Sequence, residues 1–387
     1  MYSRRVLHQP ISAASQRLNI LQISSAQSLG GGERHLVDLS KGLARRGHEI
    51  YLAARPESPL IRELNEIPRE RVATFPLRNS LDAPSARSLA KLVRQHQIQV
   101  VHAHMARDYP LAAYAVRKND HSRLVVTRHV LFPLNKLHRA TLSRASTVIA
   151  VSEAVAVQLR NDKVVPDEKI KVVVNGIDTA RFLKAREAFD REEFLKQWSL
   201  PGDSLLVGTV GELTPLKGQA EFIKAAVQVG QEFPNACFIV AGTDNSAEQT
   251  NSAALQELIS RLKFSERVRV VPWLDEIAQL YCALDVFVSA SHTESFGLAM
   301  AEAMASRTAV VATGTAGARE IIRPGETGLI VPIGDADELA DTLIDLLGSA
   351  DRRTRLGEAA QLDVTSRFGM EPMIDATAKI YLDAIQK

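Results

Sequence analysis

The sequence has few cysteines, few aromatic residues and little net charge. Its 387 residues include two cysteines, 5% aromatic side chains and a formal net charge of +2 at pH 7. Two cysteines cannot form a disulfide framework, and Cys237 and Cys282 lie in apolar patterns typical of small core residues in a reducing compartment. The balanced charge argues against a dedicated nucleic-acid-binding protein, because phosphate contacts normally require a strong basic excess.

Long apolar runs are also missing. Apolar residues make up 45% and charged residues 24% of the chain, but no stretch approaches the ~20 apolar residues that a membrane-spanning helix needs. Residues 1–17 contain three arginines and lack the apolar centre of a secretory signal. We therefore expect a cytoplasmic protein with a flexible N-terminal extension.

Short apolar runs alternate with amphipathic helical patterns along the rest of the chain. They form two series, one between Ile20 and Val174 and the other between Leu205 and Val331. Apolar runs rich in Val and Ile that are separated by helices are typical of parallel sheets covered on both faces. We predict an α/β protein with two tandem Rossmann-like, doubly wound domains.

The chain is too long for one ordinary core, and a charged stretch that ends at Leu200-Pro201-Gly202 separates the two series. The last helical pattern carries Ile374, Ala378, Tyr381 and Ile385 on one stripe, which needs an apolar surface to cover. The predicted organisation is an extension (1–17), an N-terminal domain (18–180), a linker (181–201), a C-terminal domain (202–370) and a final helix (371–387).

Two motifs follow a predicted strand and open a predicted helix, which is where ligands bind in open parallel sheets. The first is Gly30-Gly31-Gly32-Glu33. Glycines let the backbone approach a ligand closely, and a helix start offers N–H groups to an anion. The segment lacks the glycine spacing of a dinucleotide fingerprint. A tight turn and a ligand loop therefore both stay open.

The second motif runs from Glu294 to Glu302, two carboxylates eight residues apart. The segment 295–298 can present backbone N–H groups to a diphosphate, and the helix dipole favours that negative charge by ~0.3–2 kcal/mol. Glu302 can accept hydrogen bonds from a ribose diol, and Glu294 from hydroxyls of a transferred sugar. An acidic pair on a solvated helix start is the alternative, but it leaves the adjacent glycine unexplained.

The string HTESFGLAMAEAMA resembles the E-x7-E signature of retaining glycosyltransferase family 4, whose members have the two-domain GT-B architecture. From about Leu18 onward other segments resemble the family in the same order: GGGERHLVDLSKGLARRGHEI, VVTRHV followed by VIAVSEAV, VVVNGID, GTVGELTPLKGQ and GAREIIRPGETGLIVPIGD. The resemblance implies a GT-B fold with an acceptor domain and a nucleotide-sugar domain facing across a cleft. It also implies that the final helix crosses back to the N-terminal domain.

The resemblance implies roles for individual residues. Lys217 corresponds to the lysine that contacts the donor diphosphate, Glu302 to the ribose-binding glutamate and Glu294 to the carboxylate near the sugar hydroxyls. His129 corresponds to a histidine beside the transferred sugar, so we predict His129, Lys217 and Glu294 as catalytic residues. The other predicted donor-binding residues are those of the closing loop and the phosphate-binding turn: Gly31, Gly32, Phe296, Gly297 and Leu298.

The implied reaction is the retaining transfer of a hexose-type sugar from a UDP-, GDP- or ADP-sugar to a hydroxyl acceptor. The acceptor is a glycan, a small molecule or a lipid-linked molecule, in polysaccharide or glycolipid biosynthesis. The resemblance implies no cofactor, no metal ion and a front-face mechanism in which the leaving phosphate helps to deprotonate the acceptor. The alternatives are a nucleotide-sugar epimerase of the same architecture and a non-catalytic or weakly active nucleotide-sugar-binding protein.

One residue departs from the family pattern. Glu212 stands where the family usually has an arginine, and a carboxylate beside a diphosphate would repel it. Three explanations stay open: Glu212 points away, Arg319 or Arg128 supplies the missing cation, or donor binding is weakened.

Two pairs of residues resemble metal ligands. His102 and His104 alternate along a predicted strand and so face one side of the sheet, but two histidines without a third ligand are a weak indication of zinc. We instead predict that His104, with Asp108 in the following loop, lines the acceptor side of the cleft. Asp335 and Asp337 open a predicted helix, and N-capping accounts for them.

The segment 123–144 combines basic and apolar side chains. Such a surface fits peripheral contact with an anionic membrane or a lipid-linked acceptor. A solvated face with snorkelling side chains is the other interpretation, and both stay open. The basic residues are Arg123, Arg128, Lys136, Arg139 and Arg144.

Overall fold

The structure is a computed structural model that describes residues 16–134 and 137–386. Residues 1–15 of the predicted extension, Lys136 of the basic segment and Lys387 lie outside the described residues. The strands pair in parallel within two sheets, one of seven strands and one of six. Two helix-covered parallel sheets confirm the predicted α/β class.

The strands follow one another in two groups. In chain order they are β1 (Asn19–Ser24), β2 (Glu49–Ala54), β3 (Val72–Thr74), β4 (Val100–Ala103), β5 (Arg123–Arg128), β6 (Ala145–Ala150), β7 (Ile170–Val172), β8 (Leu205–Val210), β9 (Ala236–Ala241), β10 (Val268–Val271), β11 (Val286–Ser289), β12 (Ala309–Thr313) and β13 (Leu329–Val331). We refer to β1–β7 with their helices as the first domain and to β8–β13 with theirs as the second.

Helices alternate with the strands. They are α1 (Gly31–Arg45), α2 (Leu60–Glu63), α3 (Ala83–Gln95), α4 (Tyr109–Arg117), α5 (Leu137–Leu142), α6 (Glu153–Asp162), α7 (Thr179–Glu187), α8 (Arg191–Gln197), α9 (Gln219–Glu232), α10 (Thr250–Arg261), α11 (Ile277–Ala283), α12 (Leu298–Ala305), α13 (Ala316–Ile321), α14 (Ala336–Leu347), α15 (Ala350–Arg367) and α16 (Met370–Ile385). The residue limits predicted for the domains remain predictions.

Each sheet reverses its strand order once. The first sheet runs β3-β2-β1-β4-β5-β6-β7, and the second runs β10-β9-β8-β11-β12-β13. The reversal lies between β1 and β4 in the first sheet and between β8 and β11 in the second. Connections leave such a pair of strands in opposite directions, and the crevice they open at the carboxyl ends is the usual ligand site of doubly wound sheets.

The strand β3 was not predicted from the sequence. It lies at the edge of the first sheet beside β2, spans three residues and is partly exposed. Every residue of β2, β4 and β11 is buried, by contrast, so these central strands leave a continuous apolar signal in the sequence. A three-residue edge strand has too few buried positions for a recognisable pattern.

The chain crosses between the domains twice, and the two crossing segments bind each other. The backbone N–H of Ile177 donates to the carbonyl of Phe368 (2.9 Å), and the N–H of Met370 donates to the carbonyl of Ile177 (3.1 Å). A Cβ atom on Gly176 would lie 2.7 Å from the Cα atom of Met370, so the close approach requires glycine. These contacts fix where the domains join.

Helix α16 returns to the first domain. Its residues Met373, Ile374 and Tyr381 belong to the same buried apolar cluster as Leu39 on α1. Gly42 on α1 leaves room for the side chain of Ile374, which occupies the space that a Cβ atom on that glycine would need. The end of the chain therefore completes the core at its beginning.

Both cysteines are free and lie in the second domain, where Cys282 is buried and Cys237 is half-buried. Along the described part of the chain, no helix has the combined length and apolarity required to traverse a bilayer.

Candidate active site

The residues that follow the strands of both reversal points meet between the two domains. Gly31 follows β1 and His104 follows β4, while Lys217 follows β8 and Glu294 follows β11. Because parallel strands end at the same edge of a sheet, these positions are brought together although they are far apart in sequence. The site is built from loops at the carboxyl edges of the two sheets.

Lys217 and Glu294 form an ion pair at the edge of the second sheet. The Ser291 hydroxyl also donates to Glu294 Oε1 (3.1 Å). About a third of the Lys217 side chain is exposed (33%), whereas that of Glu294 is 14% exposed. The sequence predicted both residues as donor contacts, and the structure places them against each other. The Glu294 carboxylate therefore holds the ammonium group of Lys217 in position while the lysine side chain stays partly exposed.

The turn before α12 offers unpaired backbone donors. Gly297 adopts a φ of +104°, which favours glycine and turns the chain sharply into the helix. Within residues 16–134 and 137–386, no acceptor binds the backbone N–H groups at positions 295, 296, 297 and 298. Unpaired N–H groups at a helix N-terminus, together with the helix dipole, favour an anion there.

Phe296 anchors this turn from inside the second domain. Its side chain is 1% exposed, and its ring packs edge-on against Phe368 with 5.3 Å between ring centroids. The prediction for Phe296 concerned its backbone amide, which has no acceptor among the described residues, and its role in binding the donor stays a prediction.

Glu302 lies beside a cation of the other domain. Its Oε2 atom accepts a hydrogen bond from the Tyr281 hydroxyl (2.8 Å). Burial raises the pKa of Glu302, and the positive charge of Arg34 opposes that rise. Arg34 extends from α1, and its guanidinium carbon lies 3.7 Å from the centroid of the Trp273 ring. The predicted ribose-binding carboxylate is thus reached from both domains.

The predicted glycine loop forms the first turn of α1 and closes against the second domain. A Cβ atom on Gly31 would lie 3.2 Å from Leu298 Cδ1, and a Cβ atom on Gly32 would lie 3.3 Å from the His129 ring. A side chain at either glycine would have to displace one of these residues. Glu33 secures the turn, because its Oε2 atom accepts from the Gly30 N–H (3.0 Å).

His129 follows β5 and links the two domains. Its backbone carbonyl accepts a hydrogen bond from the Ser295 hydroxyl (2.6 Å). Its Nε2 atom lies 3.2 Å from His104 Nδ1, and His104 Nε2 lies 2.9 Å from Gln22 Oε1. Burial lowers the pKa of both imidazoles well below the usual value. Both histidines are therefore neutral at neutral pH.

Asp108 is fully buried at the start of α4. Its Oδ2 atom accepts from the Ser25 N–H (2.8 Å), and burial raises its pKa to about 6. It thereby ties the loop after β1 to the loop after β4. His102 is buried as well, between the Tyr381 hydroxyl (2.5 Å) and the Thr127 hydroxyl (2.7 Å). The acceptor roles of His104 and Asp108 stay predictions.

Glu212 is exposed and faces another carboxylate. Its Oε1 atom accepts a hydrogen bond from Asn245 Nδ2 (3.1 Å). Burial raises the pKa of Glu33 on α1, and the negative charge of Glu212 adds to that rise. Glu212 therefore contributes negative charge to the cleft between the domains.

The two candidate replacement cations have different surroundings. Arg128 is buried and donates to the carbonyl of Phe132, so its guanidinium is used inside the first domain. Arg319 is exposed, and its Nε atom donates to the carbonyl of Gly314 (3.1 Å). Arg319 is consequently the better candidate of the two.

Several contacts across the cleft carried no sequence signal. Arg34 and Trp273 are 239 positions apart along the chain, and nothing in their local patterns pairs them. Glu320 of α13 likewise accepts hydrogen bonds from the N–H of Glu153, with both carboxylate oxygens at 3.1 Å, and so caps helix α6 of the other domain. Such pairs form only when the two domains pack together, so local sequence patterns do not predict them.

The predicted N-cap before α14 is present. Asp335 accepts from the Glu338 N–H (3.0 Å). Asp337 lies in the first turn and accepts instead from Gln228 Nε2 (2.5 Å). These partners account for both carboxylates.

Comparisons with known proteins agree with this architecture. The family described as "Glycosyltransferase Family 4" matches residues 29–181, and the one described as "Glycosyl transferases group 1" matches residues 190–363. The chain is 25% identical to the N-acetyl-alpha-D-glucosaminyl L-malate synthase of Bacillus anthracis, over 94% of this chain and 97% of that protein. It is 29% identical to the lipopolysaccharide core biosynthesis glycosyltransferase LpsE of Rhizobium meliloti, over 90% and 94%.

Solved structures show the same fold. A glycosyltransferase from Rickettsia africae superposes with a TM-score of 0.83 at 22% identity, over 96% of this chain and 99% of that one. HepE of Anabaena, solved in complex with UDP-glucose, gives a TM-score of 0.83 at 23% identity, over 94% and 99%. With both halves matched by the family descriptions, the chain belongs to glycosyltransferase family 4, has the GT-B fold and is a nucleotide-sugar-dependent glycosyltransferase.

Proposed function

We propose that this enzyme transfers a hexose-type sugar from a UDP-sugar to a hydroxyl acceptor with retention of configuration and without a metal ion at the diphosphate. The observation that carries the proposal is that Lys217 is held by Glu294, the residue directly before the unpaired amides at 295–298. The complexes of HepE with UDP and UDP-glucose favour UDP over the GDP and ADP of the predicted donor set.

The diphosphate binds between Lys217 and the turn before α12. Negative charge grows on the leaving phosphate as the bond to the sugar breaks, and fixed donors aimed at that charge stabilise the transition state. Lys217 is now paired with Glu294. The arriving diphosphate competes for the ammonium group and frees Glu294 to accept hydrogen bonds from sugar hydroxyls.

The nucleoside end of the donor lies along α12. Tyr281 occupies Oε2 of Glu302, which leaves Oε1 for a ribose hydroxyl. Arg34 places positive charge beside this carboxylate and so favours its ionised form, against the effect of burial, which raises the pKa of Glu302.

In the transfer step, one bond at the anomeric carbon is broken and another is formed in its place. The bond to the diphosphate oxygen breaks, the acceptor oxygen forms the new bond on the same face, and the acceptor proton passes to the leaving phosphate. His129 is neutral because burial lowers its pKa. It therefore orients a hydroxyl of the transferred sugar by hydrogen bonding and adds no charge.

The acceptor belongs to the hydroxyl class, and its identity as a lipid-linked molecule stays a prediction. In the basic segment 123–144, Arg123 donates to the carbonyl of Asp120 (2.9 Å) and Arg128 is buried. Phe132 is 59% exposed. These observations leave peripheral membrane contact and a cytoplasmic location as predictions.

A donor and acceptor screen tests the proposal. The full chain is incubated with UDP-, GDP- and ADP-sugars and mixed hydroxyl acceptors in EDTA, and the anomeric configuration of the product is read by NMR. We expect a UDP-sugar to react with retention. An inverted product, loss of turnover in EDTA, or conversion of the donor to an isomer without an acceptor would each contradict the proposal.

A pair of lysine variants tests the site itself. Lys217→Ala removes a donor aimed at the leaving phosphate, and we expect kcat/KM to fall by ~10²–10³. Lys224→Ala is the matched control, because Lys224 is exposed on the nearby helix α9. Equal activity of the two variants would remove Lys217 from the mechanism.

A further inference from the structure

Four histidines gather at the carboxyl edge of the first sheet. His35 lies on α1, His102 in β4, His104 just after β4 and His129 just after β5. The rings of His35 and His129 have centroids 5.0 Å apart, and those of His104 and His129 are stacked at 5.5 Å. The proposed transfer mechanism assigns a step to His129 and none to His35 or His102, and His104 is predicted only to line the acceptor side of the cleft.

Three of these histidines converge on one point. One ring nitrogen from each of His35, His104 and His129 lies within 4.8 Å of one from each of the other two. We propose that these three imidazoles form a binding site for a divalent transition metal, with zinc as the ion that a three-histidine set suits best.

The spacing of two ligands already fits zinc. His104 Nδ1 and His129 Nε2 are 3.2 Å apart. Nitrogens bound tetrahedrally to zinc at about 2.0–2.1 Å stand about 3.3 Å from one another. One ring nitrogen of His35 lies within 4.8 Å of a ring nitrogen of each of the other two histidines, so it has to approach by on the order of 1.5 Å to reach the spacing of a zinc site.

Gln22 orients His104 as a metal ligand. Gln22 Oε1 lies 2.9 Å from His104 Nε2, which places the proton on Nε2 and leaves a lone pair on Nδ1. A carbonyl oxygen behind a ligating histidine is the usual supporting contact in zinc sites. Without metal, the N–H group at His129 Nε2 donates a hydrogen bond to His104 Nδ1.

His129 and His35 each keep a buried nitrogen free. Among the residues that the structure describes, neither His35 Nδ1 nor His129 Nδ1 has a hydrogen-bond partner. When metal binds His129 Nε2, the proton moves to the free Nδ1 and no net proton release is needed. His35 is 5% exposed, so its unpaired nitrogen points into protein.

The cluster is in the protonation state that binds metal. Burial lowers the pKa of His35 to about 4, and it lowers the pKa of His104 and His129 well below the usual value. Neutral imidazole is the ligand form. Three protein nitrogens leave a fourth coordination position for water or another ligand.

Metal at this site competes with sugar transfer. Binding holds the His129 ring on the metal and so prevents it from orienting a sugar hydroxyl, and we expect zinc to inhibit the enzyme. This consequence rests on the proposed function, whereas metal binding itself does not.

Zinc binding is measured on the untagged full chain by competition with a chromophoric chelator. We expect one zinc ion per chain, and at least a tenfold loss of affinity in both His35→Gln and His104→Gln. Gln22→Leu keeps the three ligands but removes the carbonyl oxygen that orients His104, and we expect a 10–100-fold loss of zinc affinity. The matched control is His121→Gln, since His121 is exposed outside the cluster and its loss should change nothing.

Cobalt gives a readout that needs no variant. Co²⁺ bound to the wild-type chain should show the visible absorption of a four-coordinate ion, and a six-coordinate spectrum would overturn the proposal. Failure of the wild-type chain to bind zinc, or unchanged affinity in His104→Gln, would do the same. Zinc binding by a chain that shows no transfer activity in EDTA would instead refute the proposed function and leave the metal site standing.

Discussion

At the level of single residues, the charge of the cleft is the main departure from the family pattern. Glu212 replaces an arginine, faces Glu33 of the other domain and is held by Asn245. Two unit charges 4 Å apart interact by about 1 kcal/mol in bulk water and about 4 kcal/mol near a protein surface. We therefore expect a carboxylate at this position to weaken diphosphate binding.

The substitution Glu212→Arg reverses that charge. We expect the dissociation constant for UDP, measured by calorimetry, to fall about tenfold, which corresponds to ~1.4 kcal/mol. Glu326→Arg makes the same charge change at an exposed turn and should leave the constant unchanged. If the affinity of Glu212→Arg equalled that of the wild type, Glu212 would lie outside the phosphate site.

The E-x7-E run and the lysine loop, which resembles that of the family, predicted Lys217, Glu294 and Glu302 as site residues from sequence, because the backbone turn and helix start that hold them are local. Arg34 could not be found that way. Its interactions with Trp273 and Glu302 depend on how two domains approach each other, and helix periodicity explains only why it lies on α1.

At the level of elements, helix α16 shows how a stripe of apolar residues acquires its partner. The apolar pattern placed Ile374 and Tyr381 on one face without deciding which domain that face covers, and only the family resemblance implied the N-terminal domain. The structure packs them on the first domain, where Gly42 of α1 makes space for Ile374. A missing side chain on one helix thus determines where another helix docks.

Truncating this contact should destabilise the first domain. Ile374 is completely buried, and we expect Ile374→Ala to lower the free energy of unfolding by about 2–5 kcal/mol through lost burial and the cavity left behind. Leu362→Ala is the control, because Leu362 on α15 is 69% exposed. Urea unfolding followed by circular dichroism measures both. Similar losses in the two variants would mean that α16 is not part of the core.

At the level of the whole molecule, the first domain buries several titratable groups whose pKa values are shifted. Burial lowers the pKa of His35, His102, His104 and His129. The pKa of Asp38 and that of Asp108 are instead raised to about 6, each by burial. As the pH falls, the buried histidines lower the free energy of unfolding, whereas the two buried aspartates raise it.

Acidification should destabilise the protein. Between about pH 6.5 and 4 the unfolded histidines bind protons and the folded ones do not, so stability is lost as the pH falls. The two aspartates take up protons first in the folded state and offset part of this loss. For His35, with a pKa of about 4, the loss between pH 7 and pH 5 is about 2 kcal/mol.

The difference in unfolding free energy between pH 7 and pH 5, measured in EDTA to keep metal out, checks this expectation. His35→Gln should reduce the difference by about 2 kcal/mol, whereas His121→Gln, at an exposed position, should not change it. A wild-type protein that is as stable at pH 5 as at pH 7 would show that the cluster accepts protons in the folded state.

The sequence alone determined two parallel sheets and the local loops that end their central strands, because burial on both faces and helix starts leave short-range patterns. It did not reveal β3, whose three partly exposed residues carry no such pattern. Only the tertiary structure decided which side chains meet across the cleft and that His35 and His129 join His104. Those contacts link positions distant in sequence, and they form when separate strands end at one sheet edge and two domains close on each other.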